Sequence, residues 1–238
     1  MKSFIIKIGT KFLFFLKGDF NLGKIKVLKS GVWRDIQPKV FKNNSWNKCS
    51  GYMLKNGKWI KITEERYEAL FRCTWSSSYN ESGNMRTDNK HIYQGDYHGI
   101  NPYSTRGNLC GLMGFNYNDI KSKLQGATIE SVSIELYNKH WYWSAGGTVN
   151  IGTHNKASKP KTYKPSSDSS KKIGVKQQAF SRYERKWVSL PKSVIQDFLD
   201  DKAKGIILWI NSSNMLYYGY FAGYGESYAP TLKVVYYK

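Results

Sequence analysis

Residues 127–137 read ATIESVSIELY, and from Ile129 onward apolar and polar side chains alternate. A period of two is that of a half-buried β-strand, because successive side chains point to opposite faces. Working outward, residues 205–210, GIILWI, form a continuous apolar strand, and residues 215–221 and 232–237 supply two more. From Phe71 the chain is rich in Gly, Ser, Asn and Tyr, with short apolar runs separated by turn signals. Strands at such short intervals predict an all-β fold, an antiparallel β-sandwich (jelly-roll-like) with one short helix. That helix falls in residues 191–199, PKSVIQDFL, where Val194, Ile195, Phe198 and Leu199 share a face. Pro191 suits a first helical turn, where no N–H partner is needed, and Gly205 ends the segment. The surrounding Asp197, Asp200 and Asp201 read as a solvated face rather than as catalytic acids.

Upstream, residues 25–63 repeat with a period of 13: IKVLKSGVWRDIQ, PKVFKNNSWNKCS and GYMLKNGKWIKIT. Trp33, Trp46 and Trp59 occupy one register, Val27, Val40 and Met53 a second, and Lys29, Lys42 and Lys55 a third. After each lysine comes Ser30-Gly31, Asn43-Asn44 or Asn56-Gly57, dipeptides that accept the positive φ of tight hairpin turns. Each copy therefore predicts strand, two-residue turn, strand. The tryptophans read as cross-strand packing anchors, with a row of sugar-stacking platforms as the functional alternative. Residues 64–70 read as a short helical linker. The expected organisation is an apolar and basic arm over 1–24, the hairpin module over 25–63, this linker, and the sandwich over 71–238.

In the arm, Lys7 and Lys11 interrupt the apolar residues, so the longest uninterrupted run, 12–16, has five residues. That is too short for a membrane span or the apolar core of a signal peptide, and the arm reads as packed or partner-docking. Three cysteines, Cys49, Cys73 and Cys110, cannot all pair within the chain and form no C-x-x-C motif. They give no sign of a disulfide-stapled scaffold. The formal charge is +20, from 37 Lys and Arg against 17 Asp and Glu, and aromatics make up 16% of the 238 residues. The segment 156–186 holds ten basic and two acidic residues, hence +8. Its first half, 158–170, reads as a mobile loop. Lys159, Lys161, Lys164, Lys171 and Lys172 are candidates for contact with a polyanion.

From Thr74-Trp75-Ser76 to the end, the chain resembles the carbohydrate-binding-module-like sandwiches of phage minor tail proteins, related in pattern to DNRLRE-type domains. The resemblance is carried by residues 93–97 (YQGDY), 124–132 (LQGATIESV), 137–140 (YNKH), 151–155 (IGTHN) and 187–191 (WVSLP). The closing pattern is 205–208 (GIIL), 220–223 (YFAG) and 230–234 (PTLKV). Hairpin repeats of the upstream kind resemble connecting segments of phage tail and baseplate proteins. The resemblance implies a virion protein, acting outside the cell, whose sandwich touches host cell-wall polysaccharide or teichoic acid. It also implies neighbouring tail proteins and a homo-oligomer as partners.

The candidate sugar site is the run 139–147, KHWYWSAGG, with His140, Trp141, Tyr142 and Trp143, and Tyr217, Tyr218, Tyr224 and Tyr228 form a second aromatic cluster. Flat rings offer apolar faces to the C–H side of a sugar, while His and Tyr can donate hydrogen bonds to hydroxyls. By strand alternation, Trp141 and Trp143 are expected on one face. There is no G-x-S-x-G, H-E-x-x-H, Walker loop or dinucleotide fingerprint, so no enzyme is expected. His91, His98, His140 and His154 have no metal-ligand spacing and read as ordinary strand-end residues. No cofactor is implied, and a structural calcium, frequent in sugar-binding sandwiches, has no assignable ligands. Two other classes compete: a basic nucleic-acid-binding protein, and a glycan-binding appendage of a cell-wall hydrolase. No nucleic-acid-binding motif is present, and lysine outnumbers the arginine that base readout favours.

Overall fold

The computed structural model describes residues 65–88, 90–97 and 107–238, with Asn44 and the backbone of eight strands between residues 3 and 61. Cys49, His98 and the turn residues 30–31, 43 and 56–57 lie outside the described residues. The chain divides into two compact units, residues 1–67 with 237–238, and residues 68–236.

In the first unit, β1 (Ser3–Ile8) and β2 (Phe12–Lys17) pair antiparallel, from Ser3↔Lys17 to Ile8↔Phe12. The lysine-interrupted segment is thus a hairpin, and β1 also pairs with a strand of the repeat. The three repeat copies fold as β3 (Ile25–Lys29) with β4 (Val32–Ile36), β5 (Lys39–Lys42) with β6 (Ser45–Lys48), and β7 (Tyr52–Lys55) with β8 (Lys58–Lys61). Lys29↔Val32, Lys42↔Ser45 and Lys55↔Lys58 close the two-residue turns, and Asn44 has a φ of 56°. Trp33, Trp46 and Trp59 stand opposite Leu28, Phe41 and Leu54, so each copy repeats one cross-strand apolar pair. The last hairpin joins the first in a four-stranded sheet of order β2-β1-β7-β8.

The second unit is an antiparallel β-sandwich. Its strands are β9 (Arg66–Tyr79), β10 (His91–Gln94), β11 (Cys110–Phe115), β12 (Thr128–Trp141) and β13 (Gly147–His154), then β14 (Lys172–Phe180), β15 (Arg185–Leu190), β16 (Gly205–Leu208), β17 (Gly219–Ala222) and β18 (Thr231–Tyr237). Their order is β10-β17-β12-β18-β9-β11-β16-β13-β14, with β15 added on β12. The strand β9 serves both layers, lying beside β18 and pairing through Cys73–Tyr79 with β11. Val132, Ile134 and Leu136 of β12, Phe221 of β17 and Leu232 and Val234 of β18 meet Met113, Val149, Ile151, Ile206 and Leu208 of the other layer in one core. The alternation at 127–137 is therefore the core face of β12.

Two helices close the core, where one was expected. In α1 (Tyr117–Leu124), Ile120 and Leu124 are buried one turn apart, and the Asn116 side chain caps the first turn by accepting from the Asp119 N–H. In α2 (Ser193–Leu199), Val194, Ile195 and Phe198 are buried, as their shared face predicts, and Leu199 packs partly against the same core. Asp197 departs from the solvated reading: it is buried and accepts two hydrogen bonds from Lys172 Nζ, at 2.7 and 2.6 Å. Residues 66–70 begin a long strand rather than a helical linker, because Ala69, Phe71 and Cys73 alternate into the core. Residues 215–217 form a 3₁₀ turn, not a strand.

The expected mobile loop at 158–170 is pinned. Tyr163 is buried with Tyr79, Cys110, Leu112, Ile207 and Trp209 on the outer face of β9, β11 and β16. Tyr79 Oη donates to the Pro160 carbonyl at 2.6 Å, the Tyr163 N–H donates to the Gly83 carbonyl, and Asn84 bridges Thr162. This lid explains why GIILWI is apolar without alternation: the core covers one face of β16 and the lid covers the other.

His154 is enclosed at the end of β13. Nδ1 accepts from the Lys156 N–H, Nε2 donates to the Met113 carbonyl at 3.2 Å, and burial pushes the pKa from 6.5 down to about 4. The folded state thus resists a proton that the unfolded chain accepts. Stability should fall as pH drops from 6.5 towards 4 and then level off, by about 3 kcal/mol in all. Urea titrations across that range will show the slope, and His154→Gln should flatten it.

Candidate functional site

The outer face of β10, β17 and β12 carries a continuous row of rings. Tyr93 and His140 each stand opposite Tyr220, one on either neighbouring strand. Their ring centroids lie 5.0 and 5.2 Å from that of Tyr220, and His140 is stacked on it at 23°. From His140 the row runs to Tyr218 at 6.4 Å, Tyr97 at 5.0 Å, Tyr142 at 5.5 Å and Trp143 at 4.7 Å. His91 lies beside both Tyr93 and Tyr220. These separations are those of favourable aromatic pairs. Trp143 is 50% exposed and Tyr97 36%, while His140, Tyr142, Tyr218 and Tyr220 are half-buried.

Trp141 does not belong to the row. It is fully buried, edge-on to Phe221, and an added Cβ at Gly219 would collide with its ring. Register explains the departure. A shift between Asn138 and His140 interrupts the alternation of β12, and the strand ends at Trp141, so Trp143 sits beyond the last paired residue. Arg182 holds the turn to Trp143 open, donating from Nε to the Trp141 carbonyl at 2.8 Å and from Nη2 to the Tyr142 carbonyl at 2.7 Å. The Tyr142 N–H donates to the Tyr218 carbonyl, tying this turn to the segment before β17.

Tyr224 is 54% exposed on the turn after β17, fixed by its N–H to Ser76 Oγ. Tyr228 packs on Tyr137 at 5.1 Å beneath the Arg185 guanidinium, a separate pairing from the row. Between them Glu226 accepts from Lys139 at 2.6 Å, and that bond, against a small burial penalty, holds its carboxyl below the ordinary range. The five lysine candidates also divide. Lys172 is bound to Asp197, and Lys171 donates to the Asp168 carbonyl and lies over Trp209. Lys159, Lys161 and Lys164 are exposed on the lid with no ion pair among the described residues.

Burial and the nearby Arg182 cation lower the His140 pKa, which favours a neutral ring in the row. At the other end, Asp88 Oδ2 accepts from Tyr93 Oη at 2.7 Å and meets His91 Nδ1 at 2.8 Å. Burial of Asp88 acts to raise its pKa, but these bonds outweigh it and hold the carboxyl below its ordinary 3.8. Tyr93, Tyr97 and Tyr220 are not singled out as sugar contacts by the sequence, whereas Tyr218 belongs to its second aromatic cluster. Only the pairing of three strands brings them into line with His140, and the single local hint is the YQGDY stretch at 93–97.

Among the described residues no three His, Cys, Asp or Glu side chains gather as metal ligands, and no helix is long and apolar enough to cross a membrane. Cys73 and Cys110 are free and buried, and burial pushes the Cys73 thiol up to about 12. No protein-family model matches the chain, and a search of curated proteins returns no match. The fold and site define an antiparallel β-sandwich with an aromatic outer face.

Asp88 gives a check on the geometry of that face. A carboxylate held below its unfolded pKa stabilises the fold above pH 3.8, and that contribution disappears as pH falls through its folded-state value. Asp88→Asn should therefore lower the melting temperature at pH 7, with the difference from wild type closing below pH 3.8.

Proposed function

We propose that the sandwich binds glycan on the host cell surface, through the aromatic row, as part of a non-enzymatic phage tail or baseplate protein. The observation that supports the reading is the row itself: half-buried His91, Tyr220 and His140 on three strands, with Trp143 at its most exposed end. A pyranose stacks its C–H face on such a ring, and hydroxyls of Tyr97, Tyr142, Tyr218 and Tyr220 with the neutral His140 supply directional hydrogen bonds. Neighbouring virion proteins and further copies of the chain complete the proposed assembly. Lys159, Lys161 and Lys164 favour an anionic wall polymer such as teichoic acid, because they stand exposed on an anchored lid. The arrangement of charge speaks against a nucleic-acid groove. Of the ten cations in 156–186, Lys156, Lys172, Arg185 and Lys186 are paired with Asp168, Asp197, Glu135 and Glu184.

Trp143→Ala should weaken binding to purified host cell walls at an unchanged melting temperature. Trp141→Ala should instead lower the melting temperature, by roughly 3–5 kcal/mol of stability. Co-sedimentation with walls and thermal denaturation read the two effects separately. Loss of wall binding by neither Trp143→Ala nor Tyr142→Ala would count against the face. Replacing Lys159, Lys161 and Lys164 together by Gln should reduce the salt dependence of binding while leaving the fold intact.

A further inference from the structure

The aromatic row ends on a guanidinium that has no carboxylate partner among the described residues. Arg86 Cζ lies 4.0 Å above the centroid of the Tyr93 ring, and Tyr93 is fixed from its far end by the Oη bond to Asp88. The Arg86 N–H donates to the Ser78 carbonyl, so the backbone that carries the side chain is held by β9. Its Nε is buried without a hydrogen-bond partner, and the side chain is half-buried rather than free in solvent. Among the described residues no carboxylate forms an ion pair with it. Asp88, two positions along, is occupied by Tyr93 and His91. Arg182 and Arg185, by contrast, have polar partners, Arg182 on two carbonyls and Arg185 on Glu135.

Arg86 also joins the two candidate surfaces. The turn that carries it is bridged to the lid at Asn84↔Thr162, between Lys161 and Lys164, and the Lys164 Cβ lies close to Gly83. Asn84 and Arg86 are two positions apart, at most about 7 Å of extended chain. A polymer leaving this end of the row, where the Tyr93 ring itself is buried, thus meets a guanidinium and then the exposed lysines. A planar guanidinium held over a ring offers its terminal N–H donors to an oxyanion, and its partial desolvation strengthens the bond.

We infer that Arg86 is a specificity-determining residue of this face, reading an oxyanion carried on the sugar, a uronate carboxylate or a phosphodiester. The inference rests on the glycan-binding reading and narrows it from sugars in general to acidic ones.

The test uses the full chain and calorimetric titration at fixed salt. Oligogalacturonate is compared with its methyl ester, which keeps the rings and removes the charge, and poly(glycerol phosphate) supplies the phosphodiester. The acid should bind about tenfold or more tighter than the ester, the worth of one charge-assisted hydrogen bond. Arg86→Gln should erase that preference while leaving ester binding and melting temperature unchanged. If the phosphodiester is the true ligand, Arg86→Gln should weaken poly(glycerol phosphate) binding by the same factor. Equal binding of acid and ester, with poly(glycerol phosphate) binding untouched by Arg86→Gln, overturns the inference and leaves the glycan reading standing. Equal loss of acid and ester binding in the variant overturns it too, since Arg86 would then only brace Tyr93. If none of the three probes binds, the glycan reading falls and takes the inference with it.

Discussion

The sandwich turns on the burial of Trp141 at the end of β12. The ring fills space left by glycine at 147 and 219, and packs against Phe221, which in turn meets Phe180. Its Nε1 is buried without a hydrogen-bond partner. Burying about 200 Å² of aromatic surface is worth roughly 5 kcal/mol, more than the roughly 1–3 kcal/mol that such an orphaned donor costs. Packing therefore decides where this residue goes, and the sheet is arranged around it.

Consequences for the surface follow directly. With Trp141 inward, His140 beside it must face outward, opposite Tyr220. The chain then leaves the sheet, and its carbonyls at 141 and 142 need new donors. Arg182 supplies them from the turn between β14 and β15, and this fixes Tyr142 and Trp143 as a ledge rather than a frayed end. The exposed rings and the buried one are thus two results of the same packing choice.

How much of this was legible depended on whether a signal was local. The turn dipeptides at 30–31, 43–44 and 56–57 specify backbone geometry within two residues, so the hairpin register could be read directly from their spacing. The alternation at 132–136 is equally local, and it marks the core face of β12. Extending that alternation to Trp143 fails because a register shift and a strand end intervene, neither of which has a residue signature here. The lid at 158–170 has the Pro, Ser and Lys content of a mobile segment, yet one buried ring, Tyr163, and one hydrogen bond from Tyr79 anchor it. The helix α1 buries only Ile120 and Leu124, too thin a stripe to stand out among polar neighbours. The row from Tyr93 through Tyr220 to His140 spans more than 120 positions and exists only once three strands are in register.

Charge follows the same logic as the rings: what matters is which groups remain uncommitted after folding. A formal +20 suggests a basic protein, but fields from exposed charges fade beyond a Debye length of about 8 Å at physiological salt. Only local arrangement then discriminates between partners. Lys172 is committed to a buried carboxylate, Lys139 to Glu226 and Arg185 to both Glu135 and a tyrosine ring. A groove that follows a nucleic-acid backbone needs cations spaced along its length, each free to displace a counterion. Lysines at 159, 161 and 164 are instead confined to one anchored lid, and the bridge at Asn84 and Thr162 brings that lid to the turn bearing Arg86. For the ligand proposed above, rings over most of the face with exposed cations gathered at one end accord with an acidic glycan better than with a nucleic-acid backbone, which would need cations along the whole groove.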